Sequence, residues 1–205
     1  MAFTFFFRDM HTLDHMAKVL VPEVSGRSRI RVWDAGCAMG PEPYTMAIIL
    51  AEAMGQFSFK NLYITATDID EQDVFGKTII DGVYSEEETK RIPAEIFAKY
   101  FEAQNTNPPT FKIISCIRDR IQFQKHNLLT LQPVGSGFSL ILCKNVLLHF
   151  QPAERIEVFK MFYSSLASGG LLATENTQKM PSELGHLFTQ VIPDVQLFRK
   201  MEQAA

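Results

Sequence analysis

The chain has 205 residues, 46% of them hydrophobic, so one domain with a sizeable buried core is expected. A net charge of −3 gives no global attraction to nucleic acid, and no apolar run approaches the ~20 residues that cross a bilayer. Three cysteines (Cys37, Cys116, Cys143) with no Cys-x-x-Cys pair argue against a disulfide framework or a zinc site, and fit a reducing cytoplasm.

Along the chain, Leu13, Met16, Ala17 and Leu20 recur at helical spacing, predicting an amphipathic helix over 9–21. Pro22 and the Ser-Gly-Arg-Ser run at 25–28 then read as a link. Residues 30–34 form a strand, a glycine turn runs through Gly36 and Gly40, and a helix carries 42–54. A second buried strand spans 61–67 and ends in Asp68-Ile69-Asp70, followed by a helix over 71–80. Gly82-Val83-Tyr84-Ser85 reads as a turn, and Ser85 caps a helix with an acidic first turn. Residues 105–109 are a loop. Two short strands are expected at 111–115 and 120–124, inside a small β-subdomain of about 105–124. The continuous apolar run 138–143 reads as a central parallel strand. A helix over 152–166, stopped by Gly169-Gly170, leads to a strand at 171–174 and a closing hairpin, 190–192 with 195–198. Alternating strands and helices ending in a hairpin describe a doubly wound α/β sheet with an antiparallel edge. Residues 1–29 are expected as a segment packing on the site of the 30–205 domain.

Strand, glycine turn and helix together present a backbone loop and a helix N-terminus to a ligand. Ala38 stands where a second glycine would complete G-x-G-x-x-G, so the glycines alone say little. The surrounding residues say more. Trp33-Asp34-Ala35-Gly36-Cys37-Ala38-Met39-Gly40-Pro41-Glu42-Pro43-Tyr44-Thr45 resembles the first motif of the CheR family, S-adenosylmethionine-dependent methyltransferases that esterify glutamates on chemotaxis receptors. Further segments resemble the family in the same order: Thr4-Phe5-Phe6-Phe7-Arg8, Ala66-Thr67-Asp68-Ile69-Asp70, Gly82-Val83-Tyr84, Asn127-Leu128-Leu129, and Cys143-Lys144-Asn145-Val146-Leu147-Leu148-His149-Phe150.

The resemblance implies a seven-stranded Rossmann-like methyltransferase, S-adenosylmethionine as cofactor with S-adenosylhomocysteine as product, and a protein substrate offering a glutamate carboxylate. It implies no nucleic-acid partner, no membrane insertion and no metal. Thr4, Gly36, Glu42, Asp68, Asn127, Leu128 and Asn145 are the candidate cofactor contacts, with Asp68 on the ribose diol and Asp70 behind it. Most also have a structural reading: Asp68 as a helix N-cap acid, which suits Asp70 better, Gly36 as a turn glycine, Glu42 as a helix-start acid, Leu128 as core, Asn145 as a loop cap. Arg8 and His149 are the candidate catalytic residues. A guanidinium suits a carboxylate acceptor, or else Arg8 pairs with Asp9; His149 stands where the family has a tyrosine, and would orient the acceptor or serve as a base.

Three departures stand out: the family's N-terminal helical domain is not in this sequence, Ala2 stands where asparagine is common, and His149 replaces tyrosine; the first and third bear on the substrate more than on the cofactor. A different acceptor, protein or small molecule, or a silent cofactor-binding domain are the other readings.

Overall fold

The computed structural model describes residues 4–177 and 179–202; Ala2 lies outside them. The chain runs α1 (Met10–Val24), β1 (Ile30–Ala35), α2 (Pro41–Phe59), β2 (Leu62–Asp68), α3 (Phe75–Asp81), β3 (Val83–Ser85), α4 (Glu86–Thr89), α5 (Ala94–Tyr100), β4 (Phe101–Gln104), β5 (Thr110–Ile113), α6 (Ser115–Arg118), β6 (Ile121–Lys125), β7 (Phe138–Cys143), α7 (Pro152–Ser165), β8 (Leu166–Thr174), β9 (Phe188–Ile192) and β10 (Val195–Lys200). Seven strands form one sheet in the order β6-β2-β1-β7-β8-β10-β9, and three form a second in the order β3-β5-β4. The doubly wound α/β reading of the sequence is therefore the fold.

The large sheet is parallel from β6 through β8, and β10 turns antiparallel against β8 and β9. From β1 the chain moves outward to β2 and β6, then crosses back to place β7 on the other side of β1. Strand order reverses there, and in such sheets the crevice beyond the strand C-termini at that reversal receives ligands. Side chains along β1 alternate between the two cores, as a strand's period of two requires. Ile30 and Val32 pack with α1 and α2, while Trp33 and Ala35 pack with Phe159 and Phe162 of α7.

Several boundaries differ from the sequence reading. Pro22 does not end α1, which continues to Val24 because Leu20 and Val24 are both buried in the core. Burial of an apolar face outweighs the local cost of proline so near the helix end. Residues 83–85 are strand rather than turn, because Val83, Tyr84 and Ser85 pair with Lys112, Phe111 and Thr110. The small β-subdomain accordingly spans 83–113 and not 105–124: β6 belongs to the large sheet, where Ile64 to Asp68 pair with Ile121 to Lys125. Gly169-Gly170 lie within β8 instead of stopping α7. The register of β7 against β8 shifts beside them, between Phe138 and Leu140.

Candidate active site

The loop after β1 is built around backbone that approaches its neighbours closely. Gly36 has φ 110°, and a Cβ there would lie 2.1 Å from Cγ2 of Val146. Only glycine lets the loop pass under Val146. The amides of Gly36 and Cys37 donate to the carbonyl of Thr67 at 2.7 and 3.0 Å, locking the loop to the end of β2. The Ala38 amide donates to Oδ2 of Asp68 at 2.9 Å. Asp68 thus stands at the C-terminal end of β2 with its half-buried carboxylate braced against the glycine turn.

Asp70 has a different task. Its carboxylate accepts from the amides of Val74, Phe75 and Gly76 at 2.9–3.0 Å, at the start of α3. Burial pushes its pKa up, but the three amides outweigh it and hold the group below the ordinary carboxylate value. Of the two readings given for Asp70, the structural one describes its contacts.

Charge gathers at the ends of β1 and β7. Asp34 is completely buried, and neither of its oxygens has a hydrogen-bond partner. Burial, then the nearby Glu42 carboxylate, raise its pKa well above the usual range, against the opposing pull of Lys144. Glu42, in the first turn of α2, is also raised, by burial first; Lys144 and Arg8 oppose the rise and Asp9 adds to it. Lys144 has a fully buried side chain with Nζ 3.4 Å from Glu42 Oε2 and 3.2 Å from Asp9 Oδ2. The next residue, Asn145, is left-handed at φ 58°, and its amide donates to Oε2 of the buried Glu175 at the end of β8 (3.0 Å). Val146 then sits on Gly36.

The candidate residues divide accordingly. Gly36, Glu42, Asp68 and Asn145 meet around the ends of β1, β2 and β7, and the charge of Arg8 reaches Glu42. Asn127 and Leu128 follow β6 at the same end of the sheet. The Asn127 side chain accepts from the Leu129 amide at 2.9 Å, and Leu128 is buried in the core that holds Trp33. Thr4 is half-buried, ahead of the fully buried Phe6. His149 is exposed at the end of a 3-10 turn, Leu147–His149.

A family model described as CheR methyltransferase, SAM binding domain, matches residues 2–194. The chain belongs to this family. A chemotaxis protein methyltransferase of Listeria innocua is 29% identical over 184 residues, 88% of this chain and 67% of that protein. A probable chemotaxis protein methyltransferase of Rhizobium etli is 26% identical, with 92% of this chain and 72% of that protein covered. Chemotaxis protein methyltransferase 2 of Vibrio cholerae is 28% identical, covering 96% and 67% respectively. The chain is thus an S-adenosylmethionine-dependent methyltransferase of the CheR type.

The crevice fits that cofactor. Asp34 and Oε1 of Glu175 are buried acidic groups with unused hydrogen-bonding capacity, a donor set that would suit a cationic amine and sulfonium. A ribose diol would find an acceptor in the half-buried carboxylate of Asp68 at the end of β2. Among the described residues no helix is long and apolar enough to cross a membrane, and no group of three or more histidine, cysteine or acidic side chains stands ready to hold a metal.

Sequence reasoning gave Lys144, Asp34 and Glu175 no role at the site. The signal was present: charged residues within or just beyond runs that are otherwise apolar, at the carboxyl ends of central strands, where burial of charge is unusual and ligands bind.

Proposed function

We propose that the CheR-type domain transfers a methyl group to a glutamate carboxylate of a protein, in a cytoplasmic chemoreceptor-like signalling setting. The observation that carries this reading is the match across residues 2–194 to the CheR methyltransferase family, which takes in Arg8 and the crevice together. In this reading S-adenosylmethionine supplies an electrophilic methyl group on its sulfonium.

The protein's own residues bind, orient and exclude water. Asp68 holds the ribose diol, and its brace on the Ala38 amide keeps the carboxylate in place before the ligand arrives. Gly36 admits the methionine end, with Glu42 at the start of α2 as its charged neighbour. Asn127 and Leu128 flank the adenine, Asn145 lines the crevice, and Thr4 closes it from the N-terminal segment. Arg8 grips the acceptor carboxylate, because a guanidinium forms two parallel hydrogen bonds to it. A carboxylate is already ionised at neutral pH, so no base is needed and the rate comes from alignment and fixed charge. His149 orients the acceptor from the exposed turn after Asn145.

The substitution at His149 favours a second reading, in which a neutral acceptor on another protein or a small molecule loses its proton to the imidazole. Incubation with methyl-labelled S-adenosylmethionine and receptor cytoplasmic fragments separates the two. A glutamyl ester releases labelled methanol in alkali; a product whose label resists alkali rules out the carboxyl acceptor.

A further inference from the structure

The three residues 7–9 are held in an unfavourable shape. Phe7 and Asp9 are both left-handed, at φ 58° and 56°, on either side of Arg8. Side chains with a Cβ adopt that region only when their surroundings impose it. On the near side the cause is clear: Phe6 is fully buried edge-on against Tyr84 and Phe101, and the Phe7 amide donates to Oγ1 of Thr45 at 3.0 Å.

On the far side the cause is Lys144. Asp9 occupies the N-cap position of α1, where aspartate ordinarily accepts a backbone amide, yet its side chain makes no capping bond. Its carboxylate accepts weakly from Thr12 Oγ1 at 3.3 Å and points to Lys144 Nζ at 3.2 Å. The same ammonium stands 3.4 Å from Glu42 and has no hydrogen bond of its own. Burying a lysine without a hydrogen bond is costly and is tolerated here because two carboxylates flank it. Four side chains on three separate pieces of chain thus alternate in sign: Arg8, Glu42, Lys144, Asp9.

We propose that Lys144 is a positioning residue for Arg8: it holds the Asp9 carboxylate, which fixes the left-handed loop that presents Arg8, and through Glu42 it links the placement of that loop to the cofactor crevice. The proposal rests on Arg8 facing the acceptor, as read above, but its test does not depend on any acceptor.

Hydrogen exchange of the peptide covering residues 5–12 reports the loop in the whole chain, with and without S-adenosylhomocysteine. In the wild type the ligand should slow exchange there, and no slowing would break the link between the loop and the crevice. Lys144→Met and Asp9→Asn should exchange about tenfold faster in this peptide alone and lose the slowing by ligand, while Lys144→Arg, which keeps the buried charge, should retain it. A purely structural role would instead speed exchange throughout the sheet. Should Lys144→Met fail to fold, Asp9→Asn carries the test, since it leaves Lys144 paired with Glu42. Wild-type exchange in residues 5–12 of Asp9→Asn, with the ligand's slowing intact, overturns the proposal. Loss of turnover in Arg8→Ala concerns the acceptor reading and leaves this one untouched.

Discussion

The crevice end of the large sheet and the inserted sheet β3-β5-β4 treat charge in opposite ways. At the crevice, Asp34, Lys144 and Glu175 are buried, and each has an atom with no hydrogen-bond partner. In and around the inserted sheet, charge is solvated or answered locally. Glu102 faces Lys112 across the β4–β5 ladder, Ser85 and Glu88 complete a reciprocal cap on α4, and Lys90 pairs with Glu87 where both are more than half exposed. Exposed pairs of this kind contribute little to stability. Buried ionisable groups with unused hydrogen-bonding capacity are destabilising wherever they occur, so their concentration at one end of one sheet fits a region that gives up stability for binding.

The sharpest way to break the contrast is with two glycines. Gly36→Ala forces a Cβ to within 2.1 Å of Val146 at φ 110° and should destabilise the fold by about 2–4 kcal/mol in denaturant unfolding. Gly82→Ala, at φ 61° beside the inserted sheet, meets chiefly the flexible Cδ of Arg118 at 2.9 Å and should cost about 1 kcal/mol. Equal costs would remove the claim that the crevice loop is the tighter region.

Next in size is the cofactor. Asp68→Ala removes a carboxylate braced by the Ala38 amide and should weaken S-adenosylhomocysteine binding by about 1.5–3 kcal/mol in calorimetry. Affinity within twofold of wild type takes the ribose contact away from Asp68.

A third comparison sets two aspartates against each other by pH. Asp34 has a raised folded-state pKa, so the stability it lends is present at low pH. That contribution is lost as pH rises from about 4, the unfolded value, toward the raised folded one. Asp34→Asn lacks that slope and should gain on the wild type steadily from pH 4 upward. Asp70 has a lowered pKa, so its contribution is present above about pH 4 and lost below it. Asp70→Asn should therefore be most costly near neutrality, with the gap narrowing in acid. Denaturant midpoints across pH measure both, and a flat difference for Asp34→Asn would falsify the burial of an uncompensated carboxyl.

The smallest expected effect is at the rim. His149 is exposed, and for a carboxylate acceptor His149→Tyr should leave turnover within about twofold at every pH tested. A rate that rises with pH in the wild type and not in the mutant moves the assignment to a neutral acceptor.

What the sequence made legible follows the same division. The strands of the large sheet read clearly because 138–143 is uninterruptedly apolar and the Gly36 turn joins a strand to a helix. The inserted sheet read poorly. Val83-Tyr84-Ser85 is only three residues, and β4 starts directly at the end of α5, so pairing with β5 rather than local pattern makes them strands. Gly36, Glu42 and Asp68 stand out in the sequence because they fall in motifs, and the structure brings them to the same end of the sheet. Lys144 and Asp34 carry no local signal that they share one end of the sheet; their proximity depends on β1 pairing with β7, more than a hundred residues apart in sequence.

The position of the inserted sheet also bears on how the chain reaches its fold. β2 and β6 pair in parallel across the whole of segment 69–120, and closing so long a loop loses more entropy than closing a short one. Within that segment β3, β4 and β5 pair only with each other, antiparallel and close in sequence. Contacts of that kind form quickly. A chain that completes the small sheet first has already drawn the end of β2 toward the start of β6, so the edge of the large sheet assembles across a much shorter effective gap.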